Sequence, residues 1–164
     1  MTIYVKNKHT LQIDEFKFKC SIGKKGSTTN KIEGDKKTPK GTFKIENLYY
    51  REDRIKKPLT LLKCIKIKKN MGWCDDIRSK KYNREVLLPF KFSTEKLYRN
   101  ENSYDAFINI KYNYFPVYKK KGSAIFLHLT NKKYKPTKGC IAIQKKDLLK
   151  ILPLIKKNTK ILIK

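Results

Sequence analysis

Two residues of this chain have both the side-chain types and the spacing for joint chemistry: His128 and Cys140, twelve positions apart. Each sits in a short stretch of alternating character, Ser123 to Thr130 and Cys140 to Ile143, which predicts two strands. Side chains alternate across a strand, so Ile125, Leu127 and Leu129 share one face of the first, opposite Ala124, Phe126 and His128. In the second, Ile141 and Ile143 share a face and leave Cys140 and Ala142 on the other. With both aliphatic faces turned to a core, His128 and Cys140 fall on the same remaining side. Pro136 and Gly139 in the connection let the chain double back, bringing a thiol within reach of an imidazole.

A free thiol has a pKa of ~8.5, so an unaided cysteine is mostly protonated at neutral pH. A neighbouring imidazole takes the proton or pairs with the thiolate, which makes the sulfur a nucleophile. Gly139 allows close approach of the backbone to a substrate, and its N–H with that of Cys140 can point at a developing oxyanion. The competing reading of each residue is plain: a buried cysteine is commonly an inert small hydrophobe, and a lone histidine a structural one.

The surrounding residues carry a resemblance. His128 followed by Thr137-Lys138-Gly139-Cys140-Ile141 resembles the signature of the L,D-transpeptidase catalytic domain, the YkuD-type family, with a His-to-Cys interval on the short side. Upstream, Thr38-Pro39-Lys40-Gly41-Thr42-Phe43 is similar to that family's Thr-Pro-x-Gly-x-Phe element. Tyr50 to Arg54, Trp73-Cys74-Asp75-Asp76, Tyr82-Asn83 and Tyr104-Asp105 resemble a short, one-domain branch of it. The resemblance implies Cys140 as nucleophile, His128 as proton relay, Gly139 in the oxyanion hole, and a peptidoglycan stem peptide or muropeptide as substrate. It implies no cofactor and no metal. Many relatives carry Arg or Asn two positions after the nucleophile, where this chain has Ala142. Either Lys138 or Arg99, with Thr137, is therefore expected to contact the substrate in its place, or the donor differs from the usual stem tetrapeptide.

Charge and composition bound the alternatives. A formal net charge of +27 suggests an anionic partner, but only five of the 41 basic residues are Arg, the side chain suited to bidentate phosphate and base contacts. The lysines are spread along the chain, so nucleic-acid binding is weighed against as the primary role and kept as the distant rival. No stretch reaches the roughly eighteen apolar residues of a membrane span. The start, Met-Thr-Ile-Tyr-Val-Lys-Asn, reads as a strand rather than an export signal. The family's substrate implies the cell envelope or periplasm, and the absent signal leaves a cytoplasmic peptide open. Cys20, Cys64, Cys74 and Cys140 show no metal-ligand spacing, and Asp75-Asp76 reads as a turn cap rather than a metal site.

The elements that must hold the pair are mostly strands. Met1 to Ile22 predicts two or three; Thr42 to Ile45, Leu62 to Lys68, Tyr104 to Tyr112 and Thr159 to Ile163 predict others. Ser27 to Gly41 and Asn70 to Asn83 read as loops, the second holding the only tryptophan, Trp73, as a core anchor. Tyr49 to Arg54 is read as a groove lining, against a surface ion-pair cluster. Lys145 to Leu152 predicts one helix, stopped or tightened at Pro153. About eight strands and one clear helix make a mainly β (α+β) domain over residues 1–164, a curled sandwich or mixed sheet, expected as a monomer. The function expected is cysteine-dependent acyl transfer, with a carboxypeptidase or amidase on the same scaffold as the near rival.

Overall fold

The computed structural model describes residues 1–164. Period-two segments account for most of it. Strands β1 (Thr2–Lys6), β2 (Thr10–Ile13) and β3 (Phe16–Lys19) form an antiparallel meander, and β1 also pairs in parallel with the last strand, β14 (Lys160–Ile163). The long β6 (Gly41–Tyr50) runs beside β14 and carries the sheet on to β11 (Ala106–Ile110), β12 (Phe126–Thr130) and β13 (Ile141–Gln144). With β7 (Cys64–Lys66) on the end of β6, this is a nine-stranded mixed sheet. A second sheet of three strands orders as β10 (Thr94–Lys96), β8 (Met71–Cys74) and β9 (Glu85–Leu87). A two-strand ladder joins β4 (Ser27–Thr28) to β5 (Thr38–Pro39).

Fourteen strands replace the eight expected. Of the additional ones, β4 and β5 lie in Ser27 to Gly41 and β8 in Asn70 to Asn83, stretches that read as loops, while β9 and β10 follow between the expected elements. Four residues such as Met71-Gly-Trp-Cys have no visible alternation because all four are buried, which erases the period-two signal. Helix α1 (Lys145–Ile151) falls where expected and passes through Pro153 into a 3₁₀ turn, Leu152–Leu154.

The curled main sheet buries both faces. Ile45, Leu48, Ile108, Leu127, Leu129, Ile141 and Ile143 pack with Leu148 and Ile151 of the helix in the larger core. Tyr49, Phe107, Phe126 and Cys140 face the other way, onto Met71 and Trp73 of the three-stranded sheet. Strand alternation therefore sorts β12 and β13 as the sequence predicted: aliphatic side chains go to the larger core, and Cys140 and His128 lie on the opposite face. The smaller core is aromatic. Phe126 meets Trp73 edge-on at 5.2 Å and Phe107 at 4.5 Å between ring centres.

Candidate active site

Strands β12 and β13 lie parallel, with Leu127 opposite Ile141 and His128 opposite Ala142. Cys140, one residue before β13, is thus level with Phe126, and His128 stands two residues further along on the same face. Both line a cavity of about 730 Å³ whose floor and rims include Tyr104, Arg99, Thr137 and Lys138.

The thiol is held by backbone on both sides. Cys140 Sγ donates to the carbonyl of Ala124 at 3.1 Å and accepts the N–H of Phe126 at 3.3 Å. Ala124 presents that carbonyl from a left-handed conformation, φ +51°, uncommon for a residue with a Cβ. Asn83 holds it there: its Oδ1 accepts from Ala124 N–H at 3.1 Å and from Trp73 Nε1 at 2.9 Å. The Asn83 amide nitrogen donates to the carbonyls of Tyr112 and Asn113 at 3.0 and 2.7 Å. Every polar atom of this buried side chain is therefore matched, which makes it a rigid hub. Glu33 ties down the preceding turn, accepting from Ser123 Oγ at 2.7 Å and from Tyr82 Oη.

His128 Nδ1 lies 2.8 Å from the carbonyl of Leu129. A carbonyl only accepts, so this contact places the ring proton on Nδ1 and leaves Nε2 as the basic nitrogen. Tyr104 packs edge-on against the ring at 5.5 Å. Burial pushes the imidazole pKa down to about 4, and burial, helped by the Glu95 carboxylate, pushes the thiol up to about 12. At neutral pH both groups are uncharged. Desolvation is the largest cause of both shifts, and it favours neutral thiol and neutral imidazole over the thiolate–imidazolium pair that the sequence left open.

The turn before the nucleophile is closed by its own residues. Thr137 Oγ1 accepts the Gly139 N–H at 3.1 Å and donates to the Cys140 carbonyl at 2.6 Å. The Gly139 amide is thereby engaged, whereas Cys140 N–H finds no acceptor within the protein. Gly139 has φ +143°, and a Cβ there would sit 3.0 Å from the Lys37 carbonyl of the β4–β5 loop. Only glycine lets the two segments meet. That contact is why the Thr38-Pro39-Lys40-Gly41 element matters to a residue a hundred positions away.

Arg99 reaches the cavity already occupied: it bonds Glu95 at 2.6 Å, Glu101 at 3.2 Å and the Lys96 carbonyl at 2.9 Å, and stacks over Tyr104 at 3.9 Å. Lys138 lines the same cavity, is exposed, and makes no ion pair. Ala142 is on the Cys140 face, as alternation requires, yet it is 1% exposed. Ser21 pairs with its backbone in both directions at 2.9 Å, and Ala142 does not border the cavity. The groove reading of Tyr49 to Arg54 is overturned: Tyr49 and Tyr50 are buried, Arg51 forks onto Asp53, and Arg54 pairs with Asp105 at 2.7 Å. This cluster supports the wall of the site, since Arg51 also holds the Arg99 carbonyl at 2.7 Å. Trp73 is the core anchor expected, and Asp76 caps its turn by accepting from Arg78 N–H at 2.9 Å.

Sequence reasoning missed Asn83, Glu95 and Ala124 as residues of the site. The Trp-to-Asn interval held the one available signal, since a buried indole N–H needs an acceptor.

A thiol in the last residue before a strand, an imidazole with a free Nε2 on the neighbouring strand, and an unpaired amide beside the sulfur form the set of groups used in cysteine acyl transfer. The family model of the L,D-transpeptidase catalytic domain (YkuD) matches residues 1–163, and the chain belongs to that family. Among solved structures, the chain is similar to Bd1075 of Bdellovibrio bacteriovorus, with 20% identity and a TM-score of 0.54. The likeness covers 99% of this chain and 47% of that one, so the chain spans about half the length of its structural neighbour. At that identity it speaks for the fold. No curated protein matches the sequence. No helix is long and apolar enough to cross a membrane.

Proposed function

We propose that the chain transfers acyl groups between peptidoglycan stem peptides through a thioester on Cys140. The observation that carries this is the shared cavity: Cys140 and His128 open onto one hollow, with the imidazole proton fixed on Nδ1 by Leu129. The thiol turns from the Ala124 carbonyl and gives its proton to His128 Nε2 as sulfur attacks the peptide carbonyl. The oxyanion takes the free Cys140 N–H. As the C–N bond breaks, His128 returns the proton to the departing amine. An incoming amine then attacks the thioester, loses its proton to His128, and the thiol is restored. Keeping both groups neutral before attack suits a concerted transfer, since no buried charge is formed until substrate excludes water.

In this reading Lys138 contacts a substrate carboxylate, and Thr137 is a positioning residue for the turn. Arg99, held by Glu95 and Glu101, shapes the wall. The envelope, where the wall peptide lies, is the proposed place of action.

Incubation with a stem tetrapeptide, with and without an amine acceptor, tests the reaction. A crosslinked product that requires the acceptor and is lost in Cys140→Ala is expected. Equal consumption without acceptor assigns a hydrolase instead, and a covalent adduct on Cys140→Ala removes the nucleophile assignment.

A further inference from the structure

A second hollow, of about 410 Å³, lies behind the segment that leads to Cys140. Five lysines line it, Lys8, Lys19, Lys24, Lys25 and Lys133, drawn from the β1–β2 turn, the end of β3, the following turn and the β12–β13 connection. No carboxylate lines it, and none of the five makes an ion pair anywhere in the protein. Most of the 36 lysines lack an acid partner, and what sets these five apart is that they line one concavity. Every arginine but Arg84 pairs with an acid, and Lys31, Lys66 and Lys111 do so as well. Of the 14 acids only Asp147 comes after Asp105, so the final third of the chain has almost nothing to neutralise its lysines.

Two of the five heads are placed by neighbouring groups. Lys8 Nζ lies 3.9 Å from where a Cβ of Gly26 would be, folded over the turn, and Lys19 Nζ sits over the Tyr134 ring at 4.8 Å. The walls are firm: Cys20 N–H bonds the His9 carbonyl at 2.8 Å, Ser21 Oγ the Lys135 carbonyl at 3.1 Å, and Lys24 N–H the Thr137 carbonyl at 2.8 Å. Five like charges gathered around one concavity repel one another, and a bound multivalent anion relieves that repulsion.

We infer that this hollow binds a diphosphate group. Ammonium groups are point-charge phosphate ligands and need no fork geometry, which suits a site with lysines and no arginine. A half-open hollow of this volume fits a discrete, highly charged group, whereas a long polymer would need a continuous groove. Pro136 borders both hollows, and Thr137, whose carbonyl anchors Lys24, belongs to the Cys140 turn. A ligand there thus rests on the backbone that positions the nucleophile. The inference concerns binding at a separate hollow and stands independently of the acyl-transfer reading.

Calorimetric titration with inorganic pyrophosphate at about 0.1 M salt tests it on three proteins: wild type, Lys24→Gln/Lys133→Gln, and the equally charged control Lys156→Gln/Lys157→Gln. Micromolar binding to wild type, weakened about tenfold or more in the first variant and less than about twofold in the control, is expected. Equal weakening in both variants, or no binding to wild type at millimolar pyrophosphate, overturns it. A nucleoside diphosphate and a single-stranded oligonucleotide, titrated in parallel, distinguish the source. Diphosphate binding that tracks pyrophosphate supports a terminal diphosphate group. Oligonucleotide binding that is tighter and indifferent to Lys24→Gln/Lys133→Gln means a face-wide polyanion surface, and sinks the discrete site. Unchanged thermal melting of each variant verifies that it folds.

Discussion

The Cys140 thiol donates its hydrogen bond to the carbonyl of Ala124, 3.1 Å away, rather than to His128. This contact keeps the sulfur protonated and aimed, in a site where burial already disfavours the thiolate. His128 has its own carbonyl, Leu129, and is the base of the proposed reaction.

Alkylation should report that state. With a thiol pKa near 12, iodoacetamide labelling of the Cys140 peptide is expected to be slow and to climb without plateau from about pH 6 to 10. His128→Gln should leave that profile in place. A plateau with an apparent pKa below about 7 would restore the ion pair as the resting state.

The depressed histidine has a consequence for stability. Between pH 6.5 and about 4 the unfolded chain protonates at position 128 while the folded protein does not. The unfolded state then binds more protons, so stability falls as pH drops through this window and is fully present above it. The loss is on the order of 1–3 kcal/mol, limited because the ring opens onto the cavity. Urea denaturation should show a steeper fall for wild type than for His128→Gln, above the slope that Asp35, Asp53, Asp76 and Glu101, whose carboxyls are held low, give to both. Parallel slopes would mean that another group carries it.

Activity should follow the same pKa. The base is neutral down to about pH 4, so the acid limb of kcat/KM is expected near there rather than at 6.5. A limb at or above 6.5 would mean that the working imidazole is not buried as described.

Asn83→Ala should be costly out of proportion to its size. It strands the Trp73 and Ala124 N–H groups and two carbonyls, and puts Ala at φ +55°. Destabilisation of about 3 kcal/mol or more is expected in urea, with kcat falling further than KM rises as the Ala124 carbonyl loses its anchor. A loss under about 1 kcal/mol would show the hub to be dispensable.

Arg99 and Lys138 should separate cleanly. Lys138→Ala is expected to raise KM with the melting temperature unchanged, since the side chain is exposed and unpaired. Arg99→Ala frees Glu95 and Glu101 and uncovers Tyr104, so it should lower the melting temperature, by a change equivalent to about 1–2 kcal/mol. A KM effect confined to Arg99→Ala would reverse the two roles.

Alternation along Ser123–Thr130 and Cys140–Ile143 was enough to put His128 and Cys140 on one face, because side-chain direction in a strand is a local property. The helix at Lys145, the anchor role of Trp73 and the turn at Asp76 were legible for the same reason. Protonation and partnership were not. The neutral thiol depends on burial of Cys140 and on the Glu95 carboxylate; the backbone pairing of Ala142 depends on Ser21, 121 positions earlier; the occupied Arg99 depends on two acids and a ring. The five unpaired lysines around one hollow come from four separate segments, and evenly spread in sequence they read as diffuse charge. Desolvation and ion pairing are decided by what arrives from elsewhere in the chain, and a periodicity of two carries no information about that.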